Sequence, residues 1–235
     1  MPRLKPHEDI IFQRHLNAWM TRYQKPRVIG QAYGLPLRRD MVTLLKFVRD
    51  NKVVGTQSTG NMPLKMVREV TARFVNPPQL DRTIGDHTYR LRTEADVWPL
   101  YFLHILAEVG ALLAIAPARR WRLTAQGKRF LSFDPLMQAV FLCATWWHEV
   151  NWLIAYPYVG MGDELPPDFR QMTLARLRAL PLETGIDFEQ FADDLIAETG
   201  LTWMAEVHSS DALILRGSIE RMVVNILAKF GGAER

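Results

Sequence analysis

Leu106-Ala-Glu-Val-Gly-Ala-Leu-Leu-Ala-Ile-Ala-Pro-Ala-Arg-Arg-Trp-Arg-Leu-Thr-Ala-Gln-Gly-Lys-Arg-Phe-Leu131 changes its periodicity twice within 26 residues. Its first residues finish a helical pattern that begins at Glu94 and ends at Gly110, apolar over most of its circumference through Val97, Trp98, Leu100, Tyr101, Phe102, Leu103, Ile105 and Leu106. A helix of that character is expected to be buried. After the glycine, Ala-Leu-Leu-Ala-Ile-Ala and Trp121-Arg-Leu-Thr read as two short strands joined by the basic turn Pro117-Ala-Arg-Arg. Thr124 is then placed to cap a second helix, so the order is helix, hairpin, helix.

Upstream, Glu8 to Tyr23 carries Ile11, Phe12, Leu16, Trp19, Met20 and Tyr23 at amphipathic spacing, and Pro26 stops it. Lys25 to Arg39, with two prolines, two glycines and four Lys or Arg, reads as an irregular basic connection. Asp40 is placed to cap a helix with the stripe Met41, Leu44, Leu45 and Val48, which breaks at Asp50-Asn51. A further helix is expected from near Asn61, through Pro63 in its first turn, to Phe74, with Lys65, Arg68 and Arg73 on its polar side. Residues 76–93 read as a polar connection, either a linker or an ordered loop.

Downstream, Pro135 to Ile154 reads as one long core helix carrying Trp146, Trp147 and Trp152, followed by a Pro/Gly-rich loop from Tyr156 to Pro167. Three more helices are expected. They are Asp168 to Ala179, Asp187 to Thr199 with Gln190 completing a capping box and Gly200 ending it, and Leu213 to Phe230. His104-Ile-Leu-Ala-Glu-Val-Gly and Asn225-Ile-Leu-Ala-Lys-Phe-Gly match at four of seven positions, a faint internal echo whose second copy has no hairpin.

Charge is segregated along the chain. Residues 1–133 hold 22 Lys and Arg against 10 Asp and Glu, net +12, whereas residues 134–235 hold 7 against 15, net −8. A basic half suits a polyanion through counterion release; the alternative is that the two halves attract each other. Three regions follow: an N-terminal helix and basic connection over 1–39, a helix pair with the helix-hairpin-helix unit over 40–133, and an acidic helical region over 134–235. Cys143 stands alone in an apolar run, so no internal disulfide framework exists, and a cytoplasmic setting is expected. Gln138, His148, Glu149 and Asn151 interrupt the most apolar segment, which argues against a membrane span.

The stretch 94–133 resembles the helix, wing and exit helix of bacterial winged-helix proteins of the MarR and PadR type. It keeps the Glu-x-Gly helix end, with Ala111 inserted before Leu112, an Arg-bearing hairpin tip, and the Leu-Thr-x-x-Gly strand end. The fold class implied is mainly α, with a winged-helix unit and a helical C-terminal region. The resemblance also implies that the helix before the wing reads bases and that Arg119 and Arg120 contact the DNA backbone. That helix offers only Glu94, Asp96, His104 and Glu108 as polar groups, none suited to a base edge. Lys65, Arg68 and Arg73 are chemically better phosphate partners, as are Arg122 and Lys128, although nine residues, Lys52 to Gly60, exceed the usual helix-turn-helix connection.

Catalytic patterns are absent from the reading. His148-Glu149 lacks a second imidazole at position 152, the six histidines never fall at metal-ligand spacing, and the carboxylates Glu189, Asp193, Asp194 and Glu198 read as a solvated face. Gly160-Met-Gly-Asp-Glu-Leu is too acidic for a phosphate loop. No enzyme activity, cofactor or metal is therefore expected. The chain reads as a DNA-associated, regulator-like protein whose partner is double-stranded DNA, with dimerisation or partner binding through the C-terminal helices. The alternative is a non-enzymatic interaction or structural protein that keeps the fold without reading DNA.

Overall fold

A computed structural model describes residues 31–155, 165–180, 185–202 and 211–231. The expected helix over 8–23 and the loop residues 156–164 lie outside the described residues. The protein is mainly helical and divides into two compact units, residues 1–149 and 150–235.

In the first unit, α1 spans Pro36–Asp50. Proline at the first helical position has φ already set for a helix and lacks an N–H that would be orphaned anyway. The helix therefore starts four residues before the expected capping residue. Asp40 consequently caps nothing: it lies inside α1, buried, and its Oδ1 accepts from Val75 N at 2.7 Å. Leu37, Met41, Leu44, Leu45 and Val48 bury one face together with Phe47, and Asn51 closes the C-terminus by donating from both its backbone N and its Nδ2 to Phe47 O.

Helix α2, Leu64–Thr71, is shorter than its pattern implied. Ala72 to Phe74 instead wind into tight turns, Arg73 N to Val70 O and Phe74 N to Thr71 O, which bury Phe74. The 76–93 connection holds a two-stranded hairpin, β1 (Arg82–Ile84) and β2 (His87–Tyr89), in the register Thr83 opposite Thr88. Gly85 at φ 59° makes the tight turn possible. Asp81 pins its base, accepting from Leu91 N and from both terminal nitrogens of Arg68.

A 3-10 turn at Glu94–Asp96 under a Thr93 capping box precedes α3, Trp98–Val109. The expected single helix from Glu94 is broken at Val97 because Pro99 cannot continue an α-helix from upstream and is tolerated only in a first turn. Strands β3 (Leu113–Ala116) and β4 (Arg120–Leu123) pair antiparallel, with Ile115 opposite Trp121. A third extended segment joins their outer edge: Val54 bridges Arg120, Gly55 N donates to Arg119 O, and Trp121 N donates to Val53 O. Thr124 caps α4, Ala125–Ser132, by accepting from Gly127 N.

Helix α5, Pro135–His148, starts at Asp134, which accepts from Met137 N. It stops at His148 and does not reach Ile154. Asn151, a good cap and poor helix interior, instead accepts from Leu153 N at the start of α6, Trp152–Ala155, so Trp152 belongs to the second unit. Gln138 is buried with both ends of its amide used, Nε2 donating to Phe130 O and Oε1 accepting from Arg38 Nη1. No helix among the described residues is long and apolar enough to cross a membrane.

In the second unit, Trp152 packs edge-on to Phe169 at 6.2 Å between ring centres, with Arg170 over its face at 4.9 Å. Helix α7 spans Phe169–Ala179 and α8 spans Phe188–Thr199. Asp187 accepts from Glu189 N and Gln190 N as expected of the cap, but Gln190 turns to Asp194 and leaves the capping box unclosed. Gly200 at φ 65° ends α8. Helix α9, Asp211–Ile219, runs through a π turn at Glu220–Val224 into α10, Asn225–Lys229. The second copy of the echo thus follows a π turn, and the first does not.

The carboxylates of α8 are not a bare solvated face. Arg176 of α7 binds Asp194 and Glu198, and Arg216 of α9 binds Asp193 and Glu189. The hydrogen bonds from Arg216 hold the Asp193 carboxyl below its ordinary value. A depressed folded-state value means that this pair supports folding above the ordinary aspartate pKa of about 3.9 and loses that support as pH falls through the lowered value. Carbon NMR titration should find Asp193 titrating lower in the native chain than in Arg216→Ala; identical midpoints would show that the pair does not form in solution.

Candidate nucleic-acid interface

Antiparallel register sorts the β3–β4 side chains. Directly opposed residues share a face, so Ala114 and Ala116 lie beside Arg122 and Arg120, while Leu113 and Ile115 lie beside Leu123 and Trp121. Small alanines leave the guanidinium groups uncovered: Arg122 is exposed and Arg120 half-buried. At the tip, Ala118 (φ 64°) and Arg119 (φ 58°) are both left-handed, and the carbonyl of Arg119 is fixed by Gly55 N at 2.8 Å. The backbone is held and the Arg119 side chain is exposed. Among the described residues no carboxylate pairs with Arg119, Arg120, Arg122 or Lys128, which lies exposed on α4.

The other expected phosphate partners do not form one strip. Lys65 is exposed and unpaired among the described residues. Arg68 is committed to Asp81 through two hydrogen bonds of 3.0 and 3.1 Å, which hold the Asp81 carboxyl low. Arg73 lies over the Phe47 ring at 5.2 Å and lines a groove with Arg39. Arg39 falls in the stretch that the sequence marks as an irregular connection, but it lies on α1, and Pro36 at the helix start is the local signal that places it there.

Helix α3 presents no surface for a base edge. Every residue from Trp98 to Ala107 is buried or half-buried, and only Glu108 and Val109 are exposed. Its one polar interior group, His104, donates from Nδ1 to Glu94 Oε1 at 2.7 Å, and Glu94 Oε2 accepts from Met62 N at 2.5 Å. The His104 ring lies 4.1 Å from that of Trp121, whose Nε1 donates to Gly60 O at 2.9 Å. His104 Nε2 lies 3.4 Å from Glu108 Oε2, within ion-pair reach, but the angles do not make a hydrogen bond and that nitrogen is buried without one. The network fastens residues 53–62, α3 and the hairpin together.

Among the described residues no group of three or more His, Cys, Asp or Glu is arranged to hold a metal ion. Burial pushes the Cys143 thiol up to about 11, which leaves it protonated and unreactive at neutral pH. No protein-family model, no curated protein and no solved structure matches this chain.

Proposed function

We propose that the first unit is a winged-helix module of a DNA-associated, regulator-like cytoplasmic protein, and that it holds the phosphate backbone of double-stranded DNA without reading bases through α3. The observation that carries the reading is the fixed hairpin with Arg120 and Arg122 on one face and Arg119 at its tip, none of them paired with a carboxylate among the described residues. The element order supports the fold assignment once the small 82–89 hairpin is set aside as an insertion between α2 and α3: helix, extended segment pairing with the hairpin edge, helix, helix, hairpin, helix. Arginine is the side chain best matched to phosphate oxygens, and a tip already rigid loses little entropy on binding. The C-terminal helices are the candidate surface for dimerisation or a protein partner. A second reading, an interaction protein that keeps this fold without DNA, is favoured by the coverage of α3 and by the exposure of Val54 and Ile115 beside the hairpin.

Fluorescence anisotropy with a labelled random duplex separates the readings. The intact chain is expected to bind at tens of micromolar or tighter at about 50 mM salt and to weaken steeply at about 200 mM. Arg119→Ala with Arg120→Ala should lower the salt slope by about two, one for each lost phosphate contact. No binding by the intact chain under these conditions would leave the interaction reading standing.

A further inference from the structure

We infer that a groove between α1 and the turn after α2 is a phosphate-binding site built on Arg39 and Arg73, separate from the hairpin tip. The groove has a volume of about 510 Å³, within the range of small-molecule sites, and no carboxylate lines it. The Arg39 side chain is exposed, and its guanidinium has no hydrogen-bond or ion-pair partner among the described residues. The Arg73 guanidinium has no hydrogen-bonding partner there either, and its position over the Phe47 ring holds it without consuming any of its N–H donors.

Arg38 also lines the groove. Its Nε donates to Ala32 O, its Nη1 to Gln138 Oε1 and its Nη2 to Tyr33 O, so three of the five N–H groups of a guanidinium are committed and two remain. The acids nearby are already engaged. Asp50, which feels the Arg73 charge, is held by both Arg49 Nε and Nη2, and Asp40 is buried against Val75 N. Thr43 spends its hydroxyl hydrogen on Arg39 O, which leaves the arginines as the donors. Two guanidinium forks without hydrogen-bond partners and a third with spare donors, all lining one groove, suit the several oxygens of a phosphate group.

The same chemistry serves a free phosphorylated molecule or a phosphate of the duplex bound at the hairpin; only the second source rests on the DNA reading. Calorimetry with inorganic pyrophosphate and anisotropy with the labelled duplex, each on the intact chain, Arg39→Gln/Arg73→Gln and Arg119→Ala/Arg120→Ala, distinguish them. Both arginines are exposed, and circular dichroism with a melting curve checks that each variant folds. Pyrophosphate binding at about 1 mM or tighter, weakened at least tenfold by Arg39→Gln/Arg73→Gln and unchanged by the hairpin variant, is the expected result. It identifies a free phosphate ligand even if the duplex does not bind at all. No pyrophosphate binding, with duplex affinity falling about tenfold in Arg39→Gln/Arg73→Gln and a shallower salt slope, assigns the groove to a nucleic-acid phosphate. If neither probe distinguishes Arg39→Gln/Arg73→Gln from the intact chain, the inference is overturned.

Discussion

Gly127→Ala is expected to destabilise the first unit by about 3 kcal/mol, a large part of the ~5–15 kcal/mol that holds a typical domain together. A Cβ on this buried residue would lie 2.1 Å from Leu112 O, 3.0 Å from Leu112 C and 2.8 Å from Leu123 Cδ2. Two of those atoms are backbone, and the Leu112 carbonyl is also the acceptor for Thr124 N at 3.1 Å. Relief therefore requires the first turn of α4 to move off the start of β3. That breaks the Thr124 cap and uncovers Phe130, which is fully buried. Urea denaturation followed by circular dichroism should show the midpoint falling sharply. Gly34→Ala is the control, since nothing lies within 4 Å of its added methyl, and it should leave stability nearly unchanged. A loss below ~1 kcal/mol in Gly127→Ala would mean that α4 and the hairpin are not seated as tightly as this contact requires.

The Leu-Thr-x-x-Gly pattern was legible because each residue has a local reason to be where it is. Thr124 caps α4, and Gly127 lets the helix sit against a backbone carbonyl. The hairpin and Thr124 were readable from periodicity for the same reason. What failed had tertiary causes or competing local signals. Asp40 looks like a cap because aspartate is a good one, but Pro36 starts the helix earlier and Val75 N, 35 residues away, claims the carboxylate. The hairpin at 82–89 buries none of the residues of β2, so the apolar alternation that marks a strand was missing, although Gly85-Asp86 was a turn signal in plain view. For the phosphate partners, sequence gave the residue types and not their neighbours. Arg68 and Arg73 are five residues apart, yet one is spent on Asp81 and the other is open to a ligand beside Arg39. Pairing of that kind depends on contacts between separate segments and leaves no local trace.

Glu94→Ala is expected to cost about 3–5 kcal/mol and to loosen the hairpin tip as well, because it removes the shared acceptor of two buried donors at once. The Glu94 side chain is fully buried, and with it gone Met62 N and His104 Nδ1 both lose their acceptor. Glu94→Gln should be milder. Its amide oxygen can still accept from Met62 N, and its NH₂ can donate to the imidazole if the ring proton moves to Nε2, the nitrogen now lacking a hydrogen bond. The wider effect follows from connectivity. Met62 closes the segment whose Gly60 O holds Trp121 Nε1 and whose Gly55 N holds Arg119 O. Releasing that segment frees the tip that carries the arginines. Hydrogen exchange should therefore quicken at the Trp121 indole and at Gly55 N in Glu94→Ala under conditions where the α5 amides remain protected. A double-mutant cycle with His104→Ala should give a coupling of about 0.5–3 kcal/mol, as expected of two groups in one network. Additive losses with unchanged exchange at Trp121 would mean that Glu94 and His104 are two separate buried groups, and the rigidity of the tip would then have to come from the strand pairing of Val54 with Arg120 alone.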